Sequence, residues 1–294
     1  MSDLNSNLSS EEQNPKAADA VRAGVSEAYT AAIARTQARN PSAGGCCSAA
    51  PEPVGVAAAT AGYGDELSAV PDSAAASSFG CGNPLAVHGV ELGQTVLDLG
   101  SGAGLDLLLA AKRVGETGRV IGVDMTDAMI EVAERHLAEA GVTWGEIRKG
   151  VIEQLPVDDH SVDWVISNCV INLSPEKDAV FREIARVLRP GGRFSISDIV
   201  AEDLPEQIVS HAAAHAACVA GAISQADYVA GLEAAGLRDI EVVDRLVYDA
   251  AQLRAMVASD LQDLGVDAPD LEDAVAQAAG KVASVRVTGR LPRG

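Results

Sequence analysis

The residues of this chain best suited to chemistry are a glycine loop, VLDLGSGAG over 96–104, and five cysteines at 46, 47, 81, 169 and 218. Gly100, Gly102 and Gly104 follow a hydrophobic run and open a helix-length stretch, so their backbone N–H groups can approach a ligand that larger side chains would exclude. A dinucleotide fingerprint, G-x-G-x-x-G, would need glycine at 105, where the chain has Leu105, and this weakens a pyrophosphate reading. Asp98, two residues before the first glycine, would repel a pyrophosphate but could act on a cationic amino-acid group. Asp124, ending VIGVD, is placed to hold both hydroxyls of a ribose. An adenosyl group joined to a sulfonium amino acid, as in S-adenosylmethionine, suits the two acids better than NAD does. The plainer alternative, a tight corner with no ligand, leaves the register of strand, loop, helix and distal acid without a purpose.

The cysteines are odd in number and contain no CxxC pair, so they suggest neither a disulfide framework nor a zinc ribbon. Cys169 lies in SNCVINLSP, residues 167–175, at the carboxyl end of a strand, where open α/β sheets place ligands. A lone strand cysteine can be a small buried hydrophobe, but Asn168 beside it argues for a polar cleft. Cys218 follows HAAAHAA on an expected helix of the C-terminal region. Soft thiolates converging beside a methyl donor suit a thiophilic metalloid. Trivalent arsenic bound by sulfurs keeps a lone pair that can attack a methyl group in line, leaving the protein to position the reactants and exclude water. His211, His215 and Cys218 share one helix face at zinc-compatible spacing, but residue 212 is alanine, so the zinc-protease motif fails and an interface face is the better reading of the histidines.

The elements that must position these groups are legible as a pattern. Residues 16–35 suit a helix with Ala17, Val21, Val25 and Ala28 on one face, and residues 38–78 are punctuated by proline and glycine as a loop or lid carrying Cys46 and Cys47. From about 84 to 200, strands alternate with helices: QTVLDLG, GRVIGVD, VDWVISNCVINL and GRFSISDIV are the strands. Thr126 is expected to cap one helix, whose apolar face includes a packed His136. Ser174-Pro175 is expected to start another, closed by Pro190-Gly191-Gly192. The fold class is therefore α/β and Rossmann-like, a mainly parallel sheet flanked by helices, with a small α+β C-terminal region holding a Ser224–Asp227 capping box and strands RDIEVVDRLVY and ASVRVTGRL. Three parts follow: 1–78 as helix and cysteine loop, 79–200 as the cofactor-binding core, and 201–294 as the substrate-covering region. The net charge of −20 disfavours nucleic acid and anionic membranes as partners. No run spans a bilayer and the opening lacks a signal-peptide pattern, so the chain reads as cytosolic.

Over roughly residues 90–200 the D-x-G-x-G-x-G arrangement with its distal acid resembles the class I methyltransferase family. That resemblance implies S-adenosylmethionine as cofactor, held by Asp98, Gly100, Ser101, Gly102, Gly104, Asp124 and Asn168, with Met125 packed on the adenine and Ile152-Glu153 flanking it. Over about 79–222 the chain resembles the bacterial arsenite methyltransferases in FGCGNP, VLDLGSGAGLD, VIGVDMT, IEQLPV, SNCVINLSP, VLRPGGRFSISDIV and CVAGA. This implies trivalent arsenic held by Cys169 and Cys218, a further thiol or redox partner at Cys46 or Cys47, and glutathione or thioredoxin as reductant. The loop around Cys46-Cys47 departs from the family by being short and rich in alanine and proline, which leaves the third ligand open. Cys81 in FGCGNP is read as packing or cofactor wall, with ligation as the alternative. Two other functions fit the same sequence: methylation of a quinone or other small organic molecule, and metalloid binding without turnover.

Overall fold

The computed structural model describes residues 15–38, 63, 67, 70–76, 82–86, 89–209, 218–254 and 270–294. Cys46, Cys47, Cys81, His211 and His215 lie outside these, so the expectations attached to them are not addressed by the fold. The described residues contain seven strands, β1 (Thr95–Leu99), β2 (Arg119–Asp124), β3 (Gly145–Lys149), β4 (Val162–Asn168), β5 (Leu188–Ala201), β6 (Arg238–Val247) and β7 (Val282–Arg290). The longer helices are α1 (Pro15–Ala38), α2 (Leu105–Val114), α3 (Asp127–Glu139), α4 (Lys177–Val187), α5 (Gln225–Ala234) and α6 (Asp270–Ala278).

The strands form one sheet in the order β3-β2-β1-β4-β5-β7-β6, parallel from β3 to β5, with β7 antiparallel to both neighbours. Strand side chains alternate between faces, and here both faces of the centre are dry. Val96, Trp164 and Ile166 join a buried cluster with Leu107 and Leu108 of α2. Leu97 and Val165 join the opposite one with Val180, Phe181 and Ile184 of α4. This double burial explains why the central strands read as almost continuous apolar runs. Successive crossovers run outward from β1 in one direction and from β4 in the other, so the chain parts above the carboxyl ends of these two strands. Such a switch point is where open parallel sheets bind ligands.

Several local expectations are corrected. α4 begins at Lys177, after Glu176, because Ser174 accepts from the Glu176 N–H and donates to Glu153 instead of capping the helix directly. Pro190-Gly191-Gly192 lies inside β5, with α4 already ended at Val187. Thr126 precedes α3 as expected, but its side chain makes no capping bond. On α1, Ala17 is exposed, and the buried positions are Ala18, Val25 and Ile33. β3 was not anticipated. Ser224 does cap α5, accepting from the Asp227 N–H at 3.0 Å, and His136 is packed, with Nδ1 2.8 Å from the Ala103 carbonyl.

The Phe181 and Tyr228 rings meet edge to face, centroids 5.2 Å apart, and tie α4 to α5 beneath the sheet. Truncating Phe181 to alanine removes this contact from a fully packed site and should lower the unfolding free energy by about 3–5 kcal/mol. Urea unfolding followed by circular dichroism checks it.

Candidate active site

At the end of β1 the backbone of Gly100 has φ +61°, and a Cβ there would lie 2.2 Å from Val170 Cγ2, so both conformation and space demand glycine. Gly102 and Gly104 also have positive φ, and Gly104 is the residue that leads into α2. The loop is held open by Asp124. One carboxylate oxygen accepts from the Gly102 N–H at 2.9 Å and the other from the Thr126 N–H at 2.8 Å.

A cavity opens at this junction. The glycine loop and Ser101 line one side, Asp124 and Met125 the next, Ile152 and Glu153 a third, and Asn168 and Cys169 close the end nearest β4. Nearly every residue expected to hold the cofactor is thus brought to one space; Gly104 stands just outside the lining, at the helix start. Asp98 lines the same cavity at 2% exposure with Oδ2 unpartnered, and the buried Ser101 hydroxyl is also unpartnered. Burial, with Asp106 and Asp124 nearby, pushes the Asp98 carboxyl well above the usual range. Unsatisfied buried polar atoms that line a cavity are where a polar ligand belongs. A donor with an ammonium group at Asp98 and a ribose at Asp124 fits these residues.

The two described cysteines also come together. Cys218 is buried, and its thiol donates to the Cys169 carbonyl at 2.7 Å. Behind it, a Cβ on Gly221 would sit 2.1 Å from the Asn172 carbonyl oxygen, so CVAGA lies directly on the main chain of SNCVINL. Both cysteines have left-handed backbones, φ +56° at Cys169 and +60° at Cys218. Among the described residues the other non-glycine positions with positive φ are His160, Asp203 and Asp239, types that tolerate this region. For cysteine it is a strain of the kind that clusters at functional sites. Cys169 is disulfide-bonded.

Two features of the site were not visible in the sequence. Arg22, Val25 and Tyr29, at i, i+3 and i+7 of α1, line the cavity. Arg22 bridges to Glu153 at 3.2 Å and to Glu176, bolting the helix over the opening. The spacing was the available signal, but nothing in it named a binding face. The second is the use made of Asn168. Its side chain clasps Gly82 from both sides, accepting from the N–H at 3.2 Å and donating to the carbonyl at 2.7 Å, and also bonds Tyr63 and Asp106. Among the described residues no three His, Cys, Asp or Glu side chains group as a metal site, and no helix is long and apolar enough to cross a membrane.

Residues 91–236 match the family model of a methyltransferase domain. An arsenite methyltransferase of Halobacterium salinarum is 47% identical over 69% of this chain and 51% of its own length. The chain spans about half the length of the curated relatives it matches. The crystal structure of an arsenic(III) S-adenosylmethionine methyltransferase from Chlamydomonas reinhardtii superposes with a TM-score of 0.61 at 36% identity, covering 83% of this chain and 74% of that one. The ubiquinone/menaquinone biosynthesis C-methyltransferase UbiE of Salmonella arizonae is 37% identical over only 37% of this chain. Fold, cavity and likeness together define the fold class of the class I S-adenosylmethionine-dependent methyltransferases. Within that class the chain belongs to the arsenite methyltransferase family.

Beneath the cysteines, Asp198 is fully buried and accepts from the Ile199 N–H, the Asn172 side chain and the Tyr228 hydroxyl. Burial raises its carboxyl to about 7, with the Ile199 and Tyr228 bonds and nearby Lys177 opposing. The unfolded side chain titrates near ~4, so the folded state retains a proton between the two values, and stability falls as pH rises through that interval. Asp198→Asn removes this titration. The thermal midpoint of the variant should therefore decline less than that of the parent between about pH 5 and about pH 8, as differential scanning calorimetry would show.

Proposed function

We propose that this chain transfers a methyl group from S-adenosylmethionine to trivalent arsenic held by the thiolates of Cys169 and Cys218. The observation that carries the reading is the meeting of two strained cysteines, one lining the cofactor cavity and the other bonded to its main chain. When bound, the donor would supply an electrophilic methyl group on a sulfonium. Asp124 and Asp98 would hold its ribose and its ammonium, while Met125 and Ile152 would enclose the adenine.

The chain's own work is then positioning. Cys169 and Cys218 displace the hydroxyls of arsenite, and their protons leave with the water formed. The arsenic lone pair needs no general base. Buried surroundings, including Leu173 and Val219 in the cluster around the thiols, exclude competing water. The disulfide at Cys169 means that reduction must precede arsenic binding, which supports a thiol co-substrate such as glutathione or a protein reductant such as thioredoxin. The same reading puts the enzyme in the reducing cytosol. The third arsenic ligand is assigned by this proposal to an N-terminal thiol, Cys46 or Cys47.

Methylation of a quinone would leave the paired thiols idle, and metalloid storage would leave Asp98 and Asp124 idle. Incubation with arsenite, S-adenosylmethionine and a thiol reductant should yield methylated arsenic and S-adenosylhomocysteine, separated by chromatography with elemental detection. Cys169→Ser and Cys218→Ser should each lower turnover by at least about a hundredfold, an interaction loss on the order of 3 kcal/mol. Cofactor affinity should stay within about threefold, under 1 kcal/mol. Normal turnover by either variant, or activity indifferent to thiol blocking, would refute the arsenic assignment.

A further inference from the structure

Three carboxylates meet at the inner end of the cofactor cavity. Asp98 and Asp106 are 2% and 7% exposed, and the neighbouring charges that act on Asp98 are those of Asp106 and Asp124, both of its own sign. Arg22 is the cationic side chain lining the cavity among the described residues, and its guanidinium is committed to Glu153, Glu176 and Asp19. Asp106 accepts hydrogen bonds on both of its carboxylate oxygens. The Tyr63 hydroxyl lies 2.9 Å and 3.0 Å from its two oxygens, and Asn168 donates to Oδ2 at 3.0 Å. Buried charge of one sign is costly unless a partner of the other sign arrives. The unpartnered Oδ2 of Asp98 marks the side from which it arrives.

Resting on the proposed donor, the charges of the two cofactor forms can be compared. S-adenosylmethionine carries an ammonium, a carboxylate and a sulfonium, a net +1; S-adenosylhomocysteine lacks the sulfonium and is neutral overall. Asp124 suits the ribose and Asp98 the ammonium. Asp106 lines the same cavity and is bonded to Asn168, the residue before Cys169. We propose that Asp106 is the counter-charge to the donor's sulfonium, so that the cavity distinguishes the methylated donor from the spent product by charge. Tyr63 and Asn168 act on this through Asp106 and are positioning residues.

Calorimetric titration of the full chain with S-adenosylmethionine, S-adenosylhomocysteine and an analogue bearing a charged amine in place of the sulfonium methyl tests it. Asp106→Asn should weaken both cationic ligands on the order of tenfold while leaving S-adenosylhomocysteine within about twofold. Asp106→Glu, which keeps the charge, should restore most of the difference. Equal losses for all three ligands would show Asp106 to be a structural anchor and overturn the proposal, as would no loss at all. If Asp106→Asn does not fold, the unaltered chain still decides: the charged amine analogue should bind on the order of tenfold tighter than S-adenosylhomocysteine, and equal or weaker binding overturns the proposal. Failure of the unaltered chain to bind any of the three would refute the donor reading itself, whereas binding of all three with an unchanged ratio in Asp106→Asn refutes only the role of Asp106.

Discussion

The carboxylate of Asp124 bonds two loops that are far apart in the chain, taking the Gly102 N–H with one oxygen and the Thr126 N–H with the other. Because the acceptor is ionised, each bond is stronger than its neutral counterpart. The pair fixes the spacing between the turn after β1 and the turn after β2. Everything else in the site hangs from that spacing. It leaves the glycine backbone open toward the cavity, sets the start of α3 where Met129 can meet α1, and keeps Asp98 facing that cavity. Burial raises the Asp124 carboxyl while the Thr126 and Gly102 N–H groups pull the other way. The residue is thus a structural tie that also lines the cavity.

On the opposite rim the constraint is backbone conformation. β4 ends at Asn168 and the chain must leave it sharply, which it does through a left-handed Cys169. The Cys169 N–H is satisfied by the Ser197 carbonyl of β5 at 2.8 Å, so the turn is anchored in the sheet although its cysteine is strained. The same segment then receives Cys218 on its carbonyl and Gly221 against Asn172. Two sequence words nearly fifty residues apart are locked into one surface, and the strain is offset by neighbours that define it from several sides.

Most of this was legible in the sequence where one physical requirement dominates. The central strands announce themselves because burial on both faces leaves little besides Val, Ile and Leu, and the glycine loop because its left-handed turns favour glycine and the space at Gly100 demands it. Edge strand β3 escaped notice because GEIRK alternates charge with little that is apolar, as a half-exposed edge allows. Ser174-Pro175 looked like a helix start, but Ser174 had a competing partner in Glu153 that only the fold brings near. Pro190-Gly191-Gly192 looked like a stop; the helix had already ended, and β5 absorbs the break at its outer end, where pairing with β4 shifts register. Asn168 was read as a cofactor contact, and its clasp on Gly82 depends on a neighbour eighty-six positions away. Long-range partnerships of this kind leave no mark on local pattern.

Among the described side chains of α1 the buried apolar ones are Ala18, Val25 and Ile33, and these, with Tyr29 and the Arg22 bridge, meet the body. Three buried apolar side chains contribute modestly to holding a helix in place. A ligand beneath α1 would touch Val25 and Tyr29 as well as the glycine loop, adding contact area that the helix lacks alone. Docking of the helix and binding of the ligand are therefore thermodynamically linked, each lowering the cost of the other. An affinity measured for the cofactor includes the free energy of seating α1, and the N-terminal helix is in that sense a component of the ligand's own binding constant.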